Sequence, residues 1–428
     1  MFPGAILAGA PSRLLPPWLP FRFFLAAVVA HLAFWIMLAL AADQLTGFAG
    51  GPGLVLGALH MLTLGVLVST VIGAAGQLTP VATGLAHFSL LPLRASWWLH
   101  VAGTLALVHG FTAGSAMAMH AGGALEAAAL TAFALNLGNL LRRTDLLRIP
   151  VRFASLSLVS LVGLVALGLV LIVDFNGGLL ADHGAIAMAH LVLAAYGFLG
   201  LVIIGFSNIL VPMFALSPAP PAWSANASLI LAPAAIILAL GGILGGLPWL
   251  AALGAAGGLL ALGAHLHGMA WCLNNGQRKR LGLSFTLIKA AWGLLALNLV
   301  LGALLALDAL GETGPALFGF VLVAGWLLTF LCGMLQRITP FLAGMNMAGK
   351  GGAKPPRLSQ LADERLLRVH AWCHAGALIV IGGGIVAEHA SIIFAGALIG
   401  TAGALAFAAY VITVARSFRA YQKIANTD

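Results

Sequence analysis

The chain has 428 residues, of which 61% are hydrophobic and only 7% charged, with 54 glycines and a mean hydropathy of +1.07. A soluble domain carries roughly a quarter charged residues, so these numbers exclude a soluble globular enzyme and a disordered chain, and three cysteines are too few for a disulfide scaffold. The formal charge of +9 would suit nucleic acid, but the placement of the basic residues ties it to membrane topology, and no nucleic-acid partner is expected.

Apolar runs of about twenty residues can cross a hydrocarbon core of roughly 30 Å as helices. The sequence predicts twelve, at about 22–42, 54–80, 97–119, 122–141, 153–174, 184–214, 226–246, 249–272, 284–307, 315–341, 371–388 and 391–416. Short alternating segments of the kind that build barrels are absent, so the expected fold is an all-α polytopic membrane protein surrounded by lipid bilayer. The first run is longer than a signal h-region and no small-residue cleavage motif follows it, so it is expected to be retained.

Basic residues orient these spans. Arg13, Arg22, Arg94, Arg142, Arg143, Arg148, Arg152, Arg278, Lys279, Arg280, Arg337, Lys350, Lys354, Arg357, Arg365, Arg368, Arg416, Arg419 and Lys423 all fall on one side, and Lys289 lies one turn inside the ninth run. Asp43, Glu126, Asp174, Asp182, Asp308, Glu312 and Glu388 fall on the other. The positive-inside rule then predicts both termini in the cytoplasm and a bacterial-type inner membrane location.

Helices 2, 6 and 10 repeat one pattern. Aligned on Pro80, Pro212 and Pro340, they carry glycine fifteen residues earlier (Gly65, Gly197, Gly325) and seven residues earlier (Gly73, Gly205, Gly333). An amide stands three or four residues before each proline, at Gln77, Asn208 and Gln336, and the first helix of each quartet ends in Asp43, Asp174 or Asp308. Three pseudo-threefold-related four-helix units are therefore expected, spanning approximately 22–145, 150–280 and 284–420. Paired glycines on one helix allow close backbone approach.

An ionisable residue inside a membrane is a functional candidate by default. His60 and His190 occupy matching depths in helices 2 and 6, roughly 10 Å below the outer ends at 1.5 Å per residue. His31 and His109 fall near the middle of helices 1 and 3. Neutral imidazole is a good axial ligand for haem iron, so His60 and His190 are the expected iron ligands, with His31 and His109 as candidate second ligands. Phe34, Trp35, Trp97, Trp98, Phe198, Phe206, Trp292 and Trp326 are the aromatic residues expected to wall such a group. His370 and His374 share one face of helix 11 at its cytoplasmic boundary and form a further candidate metal pair; copper is a further candidate cofactor of the chain. His87, His120, His183 and His389 fit loop or interfacial positions, and His265 and His267 fit a helix C-terminus. No covalent haem-attachment motif exists, so any haem would be bound without a thioether link, as haem b is. There is no phosphate-binding loop, nucleophile elbow or zinc-protease motif.

Twelve helices in three quartets, with histidine in the outer part of helices 2 and 6, resemble the catalytic subunit of haem-copper oxidases and nitric oxide reductases. The resemblance implies that His60 is an axial ligand of a low-spin haem and that His190 is a metal ligand of an active site. Helix 7 (WSANASLILAPAAIILAL) lacks that family's histidine pair, and helix 10 has Phe318, Gly319 and Phe320 near the depth of its two histidines. The chain is therefore closer in character to the divergent relatives typified by the NnrS family, whose opening FRFFLAA and helix 2 histidine it is similar to. This implies a haem protein handling nitric oxide or another diatomic, or moving electrons, and, if an enzyme, a haem-dependent oxidoreductase. Proton pumping is not expected, because the inner halves of the helices offer only scattered Asn136, Asn139, Asn208, Asn298 and Lys289. A metal or haem transporter or chaperone, or a non-catalytic assembly subunit, is the alternative. A membrane or cytoplasmic protein partner would dock on the 342–369 loop, a Gly- and Pro-rich stretch that turns amphipathic.

Overall fold

A computed structural model describes residues 14–86, 89–347 and 361–425, side chains of 423–425 excepted. His87, Arg13, Lys350, Lys354, Arg357, the side chain of Lys423 and the middle of the 342–369 segment lie outside the described residues. The described chain is all-helical. Its twelve helices are α1 (Trp18–Leu40), α2 (Leu54–Thr83), α3 (Leu91–Ala113), α4 (Ala116–Arg142), α5 (Arg148–Gly177), α6 (His183–Ala215), α7 (Ala222–Leu244), α8 (Pro248–Asn275), α9 (Leu283–Ala306), α10 (Gly314–Met347), α11 (Glu364–Val386) and α12 (Ala390–Ala425). Among the described residues, eleven are long and apolar enough to cross a membrane. The twelfth, α3, has the length but not the hydropathy, because Arg94, Ser96, His100, Thr104 and His109 interrupt its apolar surface. Outward faces carry exposed Val159, Val162, Ile230, Ile237, Leu260 and Ile379, as lipid-facing helices should. Exposed tryptophans stand in the opening turns of several helices (Trp18, Trp98, Trp223, Trp249, Trp372), where an aromatic belt would meet the headgroups. The chain is a multi-pass membrane protein.

Two boundaries differ from the sequence expectation, and both move functional side chains. The α3–α4 turn lies at Gly114 and Ser115, about six residues earlier than expected. Gly114 takes a left-handed φ of +66° and the Ser115 hydroxyl accepts the Ala118 N–H. Glu126 thereby moves from the first turns of α4, near its outer end, to a position three turns inside the helix. Helix α11 begins at Glu364 rather than 371, because the Asp363 carboxylate accepts the N–H groups of Arg365 and Leu366. His370 and His374 consequently lie inside the helix and are buried, not at its boundary, and the start of α11 takes the last residues of the 342–369 segment.

The centre is formed by α2, α6 and α10, and each is π-helical over eight residues: Met61–Val68, Leu193–Gly200 and Val321–Leu328. Each stretch begins nineteen residues before Pro80, Pro212 or Pro340. A π-helical turn bonds each N–H five residues back instead of four, which widens the helix locally and is found mostly at functional sites. Gly65, Gly197 and Gly325 each stand fifth in these stretches. The stretch in α10 touches those in both α2 and α6, and α10 is the most enclosed helix, with 89% of its apolar window buried against 22% for α8.

The second glycine column fixes how the neighbouring helix seats. A Cβ at Gly73 would lie 2.9 Å from Phe23 Cβ on α1, one at Gly205 would lie 2.7 Å from Phe153 Cβ on α5, and one at Gly333 would lie 2.8 Å from the Ser284 carbonyl on α9. Around this centre, α3–α4, α7–α8 and α11–α12 are tight antiparallel hairpins. Gly110 meets Met119, Gly242 meets Ala251 and Gly384 meets Ile393, each contact joining residues nine apart. Contacts α4–α5, α8–α9 and α12–α1 join the hairpins to α5, α9 and α1, so that the last helix packs on the first.

Basic side chains gather at the end of the bundle where α1 begins. Arg22 donates to the Leu93 carbonyl (3.2 Å) and lies 4.9 Å from the Trp97 ring, and Arg337 donates to Ser284 Oγ (2.9 Å) and to the Leu281 carbonyl. Substituting Gly205→Ala forces its new methyl into Phe153, and overpacking of this kind costs about 1–3 kcal/mol. Thermal unfolding of the detergent-solubilised protein should show a lowered midpoint for this variant. Gly325→Ala, whose Cβ meets only contacts of 3.6 Å and beyond, should leave the midpoint unchanged.

Candidate functional site

His60 leaves α2 one residue before its π-helical stretch, and His190 leaves α6 three residues before its own. Both stand about 10 Å below the starts of their helices at 1.5 Å per residue. His60 Nδ1 donates to the Leu56 carbonyl at 3.0 Å, and His190 Nδ1 donates to the Leu164 carbonyl of α5 at 3.0 Å. A carbonyl can only accept, so in each neutral ring the proton sits on Nδ1 and Nε2 keeps its lone pair. Neither Nε2 has a protein partner among the described residues. The two imidazoles lie within electrostatic reach of each other, and Glu126 lies within reach of His60. The wall beside them is aromatic: Phe111 of α3 lies 4.7 Å from the His60 ring and 6.4 Å from Phe175. A Cβ at Gly168 would come within 3.0 Å of His190 Cε1, so this glycine lets α5 approach the ring.

The same region, between α2 and α6 and walled by α3, α4 and α5, holds a buried polar network that the sequence reading missed. His100 Nδ1 meets Glu126 Oε2 at 2.8 Å, Thr104 Oγ1 donates to Glu126 Oε1 at 2.7 Å, and His100 Nε2 meets Ser69 Oγ at 3.0 Å and the Leu64 carbonyl at 3.1 Å. His100 is 1% and Glu126 4% exposed, so both partners are desolvated. The Leu64 carbonyl requires a proton on Nε2, which leaves one further proton to be held between Nδ1 and Oε2. The pair is neutral overall wherever that proton resides, as a buried carboxylate requires. A signal was present in the sequence: Gly114–Ser115 is a helix stop followed by a cap, which places Glu126 inside a span opposite His100.

The four expected iron ligands do not form one group. His31 instead joins His370 and His374 of α11, with ring centroids 5.9 Å (His31–His370) and 5.8 Å (His370–His374) apart. Trp35 Nε1 donates to His31 Nε2 at 2.9 Å, His370 Nδ1 donates to the Gly403 carbonyl at 3.2 Å, and His374 Nε2 meets Thr329 Oγ1 at 2.7 Å. His370 Nε2 and His374 Nδ1 are buried with no partner. No group of three or more His, Cys, Asp or Glu among the described residues is arranged to hold a metal ion. His109 stands exposed on the outer face of α3, away from His60 and His190. The expected aromatic walls are distributed as well: Phe34 and Trp35 belong to the His31 group, Trp97 and Trp98 to the basic end, and Trp292 and Trp326 to α9 and α10.

The hairpin glycines relate these groups by position. Ten residues before Gly110, Gly242 and Gly384 stand His100, Ala232 and His374. Eleven residues before Pro80, Pro212 and Pro340 stand Ser69, Leu201 and Thr329. Ser69 and Thr329 therefore meet histidines in the same manner, and each also donates at 3.4 Å to the carbonyl five residues back, Leu64 or Ala324. Between α6 and α10 the corresponding side chains are apolar.

No protein-family model matches this chain, and no curated protein matches it. Removing one half of the buried pair should be costly. His100→Leu strands the Glu126 carboxyl, and breaking a buried pair costs about 3–5 kcal/mol. The double variant His100→Leu, Glu126→Leu should recover most of that loss, as read by equilibrium unfolding in detergent.

Proposed function

We propose that this protein binds a non-covalent haem b with His60 and His190 as the iron ligands, and that it handles nitric oxide or another diatomic or passes electrons. One observation carries the reading: two imidazoles from different central helices, within electrostatic reach of each other, each spend Nδ1 on a backbone carbonyl and leave Nε2 with no protein partner among the described residues. An outer carbonyl that fixes the tautomer and orientation of a ligating histidine is a general feature of metal sites. The donor set therefore fits iron, and Phe111 and Phe175 offer the apolar ring contacts that a porphyrin edge requires. When bound, haem supplies a redox-active iron whose potential follows ligand identity, burial and hydrogen bonding.

The surrounding side chains have definite tasks on this reading. Leu56 and Leu164 orient the two rings through their carbonyls. Phe111 and Phe175 exclude water from the ligand side. Glu126 and His100 hold one proton between Oε2 and Nδ1 beside the site, with Thr104 and Ser69 fixing their orientation. The same proposal includes the architecture and topology. The shared register of the three π-helical stretches, the three hairpin glycines and the ring of contacts that ends with α12 on α1 support three four-helix units related by a pseudo-threefold axis. The excess of Arg and Lys where α1 begins supports cytoplasmic termini and an inner membrane location.

The test is an absorption spectrum of the purified protein, oxidised and reduced. A Soret band and split visible bands of haem b are expected for the native chain. His60→Ala and His190→Ala should each remove or shift the Soret band while the helical circular dichroism is retained. A native protein without pigment after expression in haem-replete cells, or one whose spectrum ignores both substitutions, contradicts the reading.

A further inference from the structure

Between α6 and α10, bordered by α7, α8 and α9, lies a half-open cavity of about 380 Å³. It occupies the region where the other two hairpins place an imidazole: Ala232 stands at the position of His100 and His374, and Leu201 at that of Ser69 and Thr329, and both line it. On α8, Gly258 lines it sixteen residues after Gly242, the position that Glu126 holds after Gly110. The cavity is drawn out along the helices. Its α8 wall runs from Pro248 to Leu262, about 21 Å at 1.5 Å per residue, from the α7–α8 turn toward the middle of the bundle. Its walls are glycine, alanine and aliphatic side chains, with Tyr196 and Trp326 stacked at 5.5 Å. The Tyr196 hydroxyl is already engaged, donating to Asn298 Oδ1.

The inner end carries polar groups with nothing to bond. Trp326 Nε1 is buried without a partner, and one turn inward of the lining residues Leu262 and Leu295 stand His265 and Trp292, whose rings lie 6.2 Å apart. His265 Nε2 and Trp292 Nε1 are also buried and unpartnered. An indole N–H is a donor only, and leaving such a group unsatisfied costs about 1–3 kcal/mol. An occupant that satisfies the lining Trp326 donor must bring an acceptor oxygen to the inner end and apolar length to the rest. The other end favours no phosphate, since Asp308 and Glu312 follow α9 there and Lys and Arg are absent from that turn.

The geometry points to a binding site for an uncharged membrane lipid of the quinone class, its carbonyl-bearing ring at the Trp326 end and its prenyl tail along the slot toward the α7–α8 turn. The inference is independent of the iron ligands at His60 and His190, which lie on the other side of α6. It is tested by equilibrium binding of decylubiquinone to the detergent-solubilised full chain. Saturable binding at one site per chain is expected. Ala232→Phe, which sets a ring in the slot, should weaken binding at least tenfold, and Trp326→Phe, which keeps an aromatic ring but removes the donor, should weaken it severalfold. Circular dichroism and the unfolding midpoint verify that each variant is folded, and Trp326→Phe decides the matter should Ala232→Phe fail to fold. Absence of saturable binding, unchanged affinity in a folded variant, or one-for-one displacement of the quinone by haemin or phosphatidylglycerol would overturn the assignment.

Discussion

A helix in hydrocarbon must satisfy its own backbone, since no water is present to do so. Three helices of this chain meet that constraint with a five-residue hydrogen-bond step over Met61–Val68, Leu193–Gly200 and Val321–Leu328. The wider turn has two consequences. It rotates the residues that follow it relative to an ordinary helix, so Ser69 and Thr329 can reach both the carbonyl five residues back and a histidine on a neighbouring hairpin. It also lies at the level where α10 meets α2 and α6, so His60 and His190 stand beside the central contacts of the bundle. Pro80, Pro212 and Pro340 sit well past these stretches, and the glycines within and beyond them admit α1 and α5 to distances that a side chain would forbid.

One scaffold position then carries three chemistries. Where α3 faces α2, His100 is fully paired by Glu126 and Ser69. Where α11 faces α10, His374 keeps its hydroxyl partner but lacks a carboxylate, because Gly400 lies against the Trp35 indole at the place where α4 has Glu126. Where α7 faces α6, Ala232 and Gly258 leave open space. Buried charge is tolerated only when paired, which explains why the sole carboxylate of this set comes together with an imidazole and two hydroxyls. The His60 ring lies within electrostatic reach of Glu126 in the fully paired region.

Much of the architecture was legible because length and hydropathy are one-dimensional properties. The twelve runs, the glycine and proline columns and the basic asymmetry need no knowledge of packing. What escaped depended on where helices turn. The α3–α4 boundary was placed at residues 120–121 because the apolar stretch continues through Met117 and Met119, whereas Gly114 and Ser115 end and restart the helix. That shift of six residues places Glu126 deeper in the bundle, level with His100 and Thr104, than the sequence expectation does. His370 falls at a boundary in the sequence because charged Glu364, Arg365 and Arg368 precede it, whereas the Asp363 carboxylate caps a helix that already begins at Glu364. The matching levels of His60 and His190 were legible from their equal depth on equivalent helices. The departure of His31 toward α11 could not be read, because it depends on which side of a nearly uniformly apolar helix faces inward, and that of His109 to the outer face because α3 carries polar residues on more than one face.

The central claim is that Nε2 of His60 and Nε2 of His190 are free in order to hold iron. The most direct measurement is pulsed electron paramagnetic resonance of the oxidised protein grown with ¹⁵N-histidine. The account predicts hyperfine couplings from histidine nitrogens to an iron centre, diminished when His60 or His190 is replaced. An iron signal with no histidine coupling, or couplings that persist when both residues are absent, would contradict it.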